Sequence, residues 1–383
     1  MEMIRTFHPV GQGGFYTERF FDVTTKQSFT VAYDIGTSTK DSKKILKAAI
    51  DSIGNVDVIF ISHLHEDHIN GLPLLLKKNP KLKIIMPVLD LNKQLDAALY
   101  NGISSDGKFL VHDEDSLCQE YKINSNAIIT IDESEETPSD EEKSIEVAKG
   151  EKVKSKLFYE KGDWLYIPYN PSNNSNNIVT AITKNSDSQI NSLVQNGEID
   201  DEALRNAFSS KKNYKKLKDI YEKEFKGEHN SYSMAVYSGP RNEVLNCAIL
   251  SGELESFLPF IMPTIENCDN FVHCLYTGDS EIKTGCNKLV GFYNNFWDKI
   301  RIIQEPHHGS KENYNKYLNC SSDGQTIVAA RLFVISVGLY NQFGHPSVDV
   351  INDICGNGGF WAIVHEKSTP LVFKYEMSKS EQS

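Results

Sequence analysis

Ser62-His63-Leu64-His65-Glu66-Asp67-His68 follows the short apolar run Val56 to Ile61 and precedes Ile69-Asn70-Gly71-Leu72. Three imidazoles and one or two carboxylates stand close together here, a density that packing alone does not explain. The run Asp57-Val58-Ile59-Phe60-Ile61 is β-branched and apolar on both sides, so it reads as a buried strand with the histidines at its end. Alternate side chains of an extended segment share a face, so His63 and His65 converge on one ion. The chain then turns into a helix expected over Ile69 to Lys78, with Pro73 tolerated in its first turn. Asp67 and His68, at that turn, point to a second ion close by. Mixed nitrogen and oxygen ligands suit Zn²⁺ first, then Mn²⁺ or Fe²⁺.

His63-x-His65-x-Asp67-His68 after a strand resembles the metallo-β-lactamase fold motif. The other motifs come in the order of the branch similar to the extracellular domain of ComEC-type competence proteins. They are Val10-Gly11-Gln12-Gly13, Tyr33-Asp34-Ile35-Gly36, Tyr276-Thr277-Gly278-Asp279, Pro306-His307-His308-Gly309-Ser310 and Gly344-His345-Pro346. Alternating strands and helices after an antiparallel start indicate an α/β (α+β) chain with a mixed sheet covered by helices. The resemblance implies more: a four-layer αββα metallo-β-lactamase sandwich over residues 1–383, with insertions at about 101–162 and 184–228.

The resemblance also implies roles. Asp34 packs behind the metal loop and orients ligands through hydrogen bonds, although the residues alone equally allow an Asx turn with Gly36. His229 occupies the place of a third ligand to the first ion, with Asn230 or water as the alternative. Asp279 bridges both ions, and Gly278 lets the backbone come close. In the pair after strand Ile300 to Glu305, His308 is assigned to the second ion and His307 to a phosphate contact or proton donation; the reverse assignment stays open. Ser310 is expected to start a helix. His345 either pins its loop or binds the reacting group. Glu66 departs from the pattern, since relatives place a small or uncharged residue there, and it faces solvent or narrows the cleft against polyanions.

The rest of the chain adds constraints. The 383 residues carry 40 basic and 52 acidic side chains, a net charge of -12 that disfavours non-specific binding along duplex DNA. Seven cysteines without a CxxC pair read as reduced thiols. The start lacks an apolar core of signal-peptide length and no later run is long enough to cross a membrane. The expectation is a cytoplasmic chain without the membrane channel of the competence proteins. A helix is expected over Asp41 to Ile53, capped by Thr39 or Asp41. Asp132 to Glu142 is too acidic to offset its ordering entropy. Ser186 to Lys226 reads as helical, with Lys211, Lys212, Lys215, Lys216 and Lys218 forming a solvated face or, less readily, an anion clamp.

Two adjacent cations lower the pKa of a shared water and neutralise charge on a phosphoryl or carbonyl oxygen. With His307 and His345 in the walls, and with the resemblance pointing to DNA-processing relatives, the expected enzyme is a phosphodiesterase or nuclease acting on single-stranded nucleic acid or a nucleotide, with Asp67, His307 and His345 as its catalytic groups. The alternatives are a hydrolase of carboxylic esters, lactones or thioesters, and a non-catalytic scaffold.

Overall fold

A computed structural model describes residues 2–104, 111–133, 159–161, 164–171, 178–225, 233–240, 246–249, 271–328 and 330–376. In chain order the strands are β1 Glu2–Phe7, β2 Tyr16–Phe21, β3 Ser28–Tyr33, β4 Val58–Phe60, β5 Lys83–Pro87, β6 Ile128–Ile131, β7 Tyr159–Lys161, β8 Trp164–Tyr169, β9 Val194–Gln195, β10 Glu198–Ile199, β11 Ala235–Pro240, β12 Asn246–Ile249, β13 Cys274–Tyr276, β14 Ile302–Gln304, β15 Leu332–Ser336, β16 Phe360–Val364 and β17 Leu371–Glu376. Two large mixed sheets result, ordered β12-β17-β1-β2-β3-β4-β5-β6 and β16-β15-β14-β13-β11-β8-β7.

Side-chain alternation explains why the sheets stack. Val31, Tyr33, Val58, Phe60 and Ile85 of the first sheet meet Trp164, Tyr166, Val236, Tyr276 and Val334 of the second in a buried inter-sheet core. Their neighbours Ala32, Ile59, Ile84 and Met86 face the other way, onto Leu46, Ile50, Leu72 and Leu117 of the helices covering the first sheet. Leu165, Ile167, Leu275, Ile303 and Phe333 likewise face Leu289, Trp297 and Ile354. A period of two with both faces apolar can be satisfied only by a sheet covered twice. Helix, sheet, sheet and helix make the αββα sandwich. Each core aromatic removes roughly 150–250 Å² from water, a gross gain on the order of 4–6 kcal/mol at about 25 cal/mol per Å².

Local structure departs from the sequence reading where long-range contacts intervene. The helix expected from Ile69 splits into Glu66–Ile69 and Leu72–Lys78, with Pro73 in the first turn of the second. The helix Ser42–Ser52 has Asp41 at its start but no side-chain cap. Thr39 instead accepts a hydrogen bond from the Gln12 backbone. Within 101–162, Glu114–Tyr121 is a helix with an Asp113/Ser116 capping box, and β6 pairs with β5. Most of the acidic run from Asp132 lies outside the described residues.

Helices Ile178–Thr183, Ser188–Asn191, Asp201–Ser209 and Lys211–Phe225, interrupted by the β9–β10 hairpin, pack with Leu91–Ser104 around their own apolar cluster. Lys211, Lys212, Lys215 and Lys218 point to solvent, and Lys216 pairs with Asp187. Cys118, Cys274, Cys286, Cys320 and Cys355 form no disulfide. Among the described residues, no helix is long and apolar enough to cross a membrane.

Candidate metal centre

The carboxyl ends of β3, β4, β13, β14 and β15 lie along one edge of the sandwich. There they deliver Asp34, the His63–His68 turn, Asp279, the His307–His308 pair and the loop bearing His345. Strand ends of this kind are where open α/β sheets bind ligands. Close backbone approach makes the edge possible. A Cβ on Gly36 would lie 2.4 Å from the Asp67 carbonyl, and one on Gly13 2.6 Å from the same oxygen. The glycine motifs thus hold the metal turn from behind.

The hydrogen bonds fix which nitrogen of each imidazole faces the cavity. Asp34, fully buried, accepts from the Ser62 backbone at 2.7 Å, the Ser62 hydroxyl at 2.8 Å and His68 Nδ1 at 2.8 Å. With its proton committed to Asp34, the Ser62 oxygen accepts from His63 Nδ1 at 2.8 Å. His65 Nε2 donates to Asp96 at 3.1 Å, and His308 Nδ1 donates to the Ser336 carbonyl at 2.8 Å. His63 Nε2, His65 Nδ1, His68 Nε2 and His308 Nε2 are left buried with no hydrogen bond among the described residues. Buried polar atoms are rarely left in this state, and ligands tethered through their other nitrogen are the usual arrangement around a divalent cation.

Asp67, His68, Asp279 and His308, all buried, offer ligand atoms within 4.8 Å of one another. His68 Nε2 lies 3.2 Å and His308 Nε2 3.7 Å from Asp279 Oδ1. The His63 ring centroid is 4.4 Å from that of His65 and 4.3 Å from that of His68. The donor set of imidazoles and carboxylates therefore fits one or two divalent cations of the Zn²⁺ type.

Electrostatics support this fit. Burial pushes the His63 imidazole well below its ordinary range, aided by His68 and His65, which leaves Nε2 as a lone pair at neutral pH. Burial pushes Asp279 upward, but His68, His308 and His307 outweigh it and hold this carboxylate well below its usual value. The centre is built for anionic oxygens facing positive charge.

The turn after β14 separates the two adjacent histidines. His307 and His308 both adopt left-handed backbone, with φ of 45° and 58°, and Gly309 follows at 80°. Non-glycine residues there cost free energy that surrounding structure must offset. This turn puts His308 inside the cluster. His307, still 22% exposed, donates from Nδ1 to Asn313 at 2.8 Å and brings Nε2 to 3.8 Å from Asp279 Oδ2. No helix starts at Ser310, because its backbone is extended and turns follow. His345 stands further out, its ring 5.8 Å from that of His307. His229 and Asn230 lie outside the described residues. Glu66, half-buried, opens the short helix, and its backbone donates to Asn101.

Three groups here were not singled out from the sequence. Asp96 and Tyr100, four residues apart on helix Leu91–Ser104, both reach the centre. Tyr100 stacks on His65 with centroids 3.7 Å apart and donates to Asp67 Oδ1 at 3.4 Å. The i, i+4 spacing was a visible signal, but nothing local aims that face at the histidines. Glu305 is fully buried beside the His307–His308 turn with neither oxygen hydrogen-bonded among the described residues, and burial pushes its carboxyl well above the usual carboxylate range. Asp96→Asn should weaken divalent-metal affinity about 10- to 100-fold, the usual cost of losing a carboxylate behind a ligating histidine. Competition with a chromophoric chelator checks this, and unchanged affinity would show that Asp96 does not orient His65.

Residues 28–118, from β3 through the histidine turn to helix Glu114–Tyr121, match the family model described as the metallo-beta-lactamase superfamily. No curated protein matches the chain. Among solved structures, the metallo-beta-lactamase SMB-1 bound to 2-mercaptoethanesulfonate is 13% identical, over 59% of this chain and 96% of that one, with a TM-score of 0.22. MEM-A1, a subclass B3 metallo-beta-lactamase from a soil metagenome library, is 12% identical over 60% of this chain and 97% of its own, with a TM-score of 0.23.

Proposed function

We propose that this chain, whose residues 28–118 form a metallo-β-lactamase superfamily segment, is a phosphodiesterase acting on single-stranded nucleic acid or a nucleotide-derived diester. The observation that carries the reading is the buried cluster of Asp67, His68, Asp279 and His308 beside the unpartnered nitrogens of His63 and His65. Divalent cations held by these residues would supply Lewis acidity and bring the pKa of water toward neutrality. Asp67, oriented by Tyr100, accepts a proton from the nucleophile. His307, its Nδ1 proton committed to Asn313, presents Nε2 to take over the proton that Asp67 has accepted and to pass it to the leaving oxygen as the P–O bond breaks. Burial holds the His307 imidazole below its ordinary value, so at neutral pH it starts as the acceptor.

The rim favours phosphoryl over acyl chemistry. A second imidazole beside the ligating one has a role on a phosphate, which presents more oxygens than a carbonyl. The order of the six motifs supports kinship with the competence branch. Purified protein loaded with Zn²⁺ or Mn²⁺ is expected to bind close to two ions and to cleave bis(p-nitrophenyl) phosphate and single-stranded oligonucleotides. Hydrolysis of a lactone or thioester with no diester cleaved overturns the assignment in favour of acyl chemistry. Absence of bound metal favours the scaffold.

A further inference from the structure

We propose that the loop from Leu339 to Val348 is a stacking platform that holds an unpaired nucleobase of the substrate while its phosphate reaches the metal centre. The inference rests on the phosphodiesterase reading and assigns that site its substrate class. Large exposed hydrophobic side chains concentrate here: Leu339, Tyr340, Phe343 and Val348 are 42%, 79%, 69% and 71% exposed. The loop is nevertheless well tied. Asn341 accepts from the Phe343 and His345 backbones at 3.2 and 3.0 Å, and donates to the Gly338 and His345 carbonyls at 2.9 and 2.8 Å. The Gly338 backbone is held by Gln12, that of Leu339 by Glu366, and Ser347 donates to the Gly309 carbonyl. A braced loop that spends its polar groups inward and presents aromatic rings outward loses little entropy when a flat ligand lands on it.

Continuity with the centre identifies that ligand. The Phe343 ring lies nearly parallel to His345 at 5.9 Å, His345 meets His307 at 5.8 Å, and His307 Nε2 is 3.8 Å from Asp279 Oδ2. Rings thus line a path from solvent to the cluster. Lys367 places its ammonium 5.0 Å from the Tyr340 ring centroid and adds positive charge beside the path. Aromatic faces next to a cation suit a base joined to a phosphate, and stacking accepts any base. The net charge of -12 gives no extended basic track for a duplex, so the unit read is a short or single-stranded one.

The test compares two diesters with one leaving group, thymidine 5′-(p-nitrophenyl phosphate) and methyl p-nitrophenyl phosphate, with Mn²⁺ present. The native chain should prefer the nucleoside ester in KM. Tyr340→Ala with Phe343→Ala should lower that preference about 5- to 100-fold. Phe343→Trp should keep it, and Phe343→Leu should not. If the native chain cleaves both esters without preference, or if the double variant keeps its preference, the platform is overturned while the phosphodiesterase reading stands. If neither ester is cleaved, that reading falls, and thymidine 5′-phosphate binding decides: loss in the double variant supports the platform, whereas equal or absent binding overturns it. A native dimer that the double variant converts to a monomer gives this surface to a second copy and also overturns it.

Discussion

Asp279→Ala should abolish tight metal binding and lower the proposed diester hydrolysis by on the order of 10³-fold, because this one carboxylate faces His68, His307 and His308 together. Its Oδ1 faces both His68 and His308, and its Oδ2 faces His307. Removing it withdraws the buried negative charge that these imidazoles surround, so His68 and His308 lose the partner that justifies their burial. The backbone is held independently, with the Asp279 N–H donating to Ser233 at 3.1 Å, so the fold should survive. The measurements are metal content by atomic emission and hydrolysis of bis(p-nitrophenyl) phosphate. Native-level metal and activity in a folded variant would remove Asp279 from the centre. Asp279→Asn separates charge from shape, since it keeps the volume and should still lose most of the activity.

Arg5→Met should cost about 3–5 kcal/mol of folding stability, the usual penalty for leaving one member of a buried ion pair alone. Arg5 is fully buried between the sheets, where Nε donates to Glu18 at 2.7 Å and Nη1 donates to the Val272 carbonyl at 2.8 Å and the Tyr375 hydroxyl at 3.0 Å. Glu18 also accepts from Tyr166, Ser238 and Tyr276 at 2.5, 2.6 and 2.9 Å. The network joins both sheets, so its loss falls on the whole sandwich. Against a total stability of about 5–15 kcal/mol this is a large fraction. The double variant Arg5→Met with Glu18→Met should recover part of the loss, because no charge is then left buried unpaired. Urea denaturation midpoints report both results. A single-variant cost below about 1 kcal/mol would mean that the pair contributes no more than an exposed one.

Much of the centre was legible in the residues. The apolar run before His63 required a buried strand, and the alternation of His63 and His65 gave them a common face. The resemblance supplied Asp34, Asp279 and His308, and the structure brings these to the same edge. Hydrogen bonds to Ser62 and His68 engage both carboxylate oxygens of Asp34, which an Asx turn with Gly36 does not explain. The helix expected from Ile69 broke because the Ile35 backbone takes up the His68 carbonyl and the Gly71 N–H that a continuous helix would need. The acidic stretch around 101–162 hid a strand, β6, whose four residues are too few to read by period.

Local chemistry determined which residues can bind a metal and which strands must be buried on both faces, because side-chain period and donor type are properties of neighbouring positions. Only the tertiary structure decided which imidazole nitrogen faces the cavity, which of His307 and His308 enters it, and that Asp96, Tyr100 and the Arg5–Glu18 pair meet their partners. Those choices depend on groups far apart in the chain, such as Arg5 and Tyr375 or His308 and Ser336. A hydrogen bond between such groups exists only once packing has carried both out of water and left each the other as its available partner.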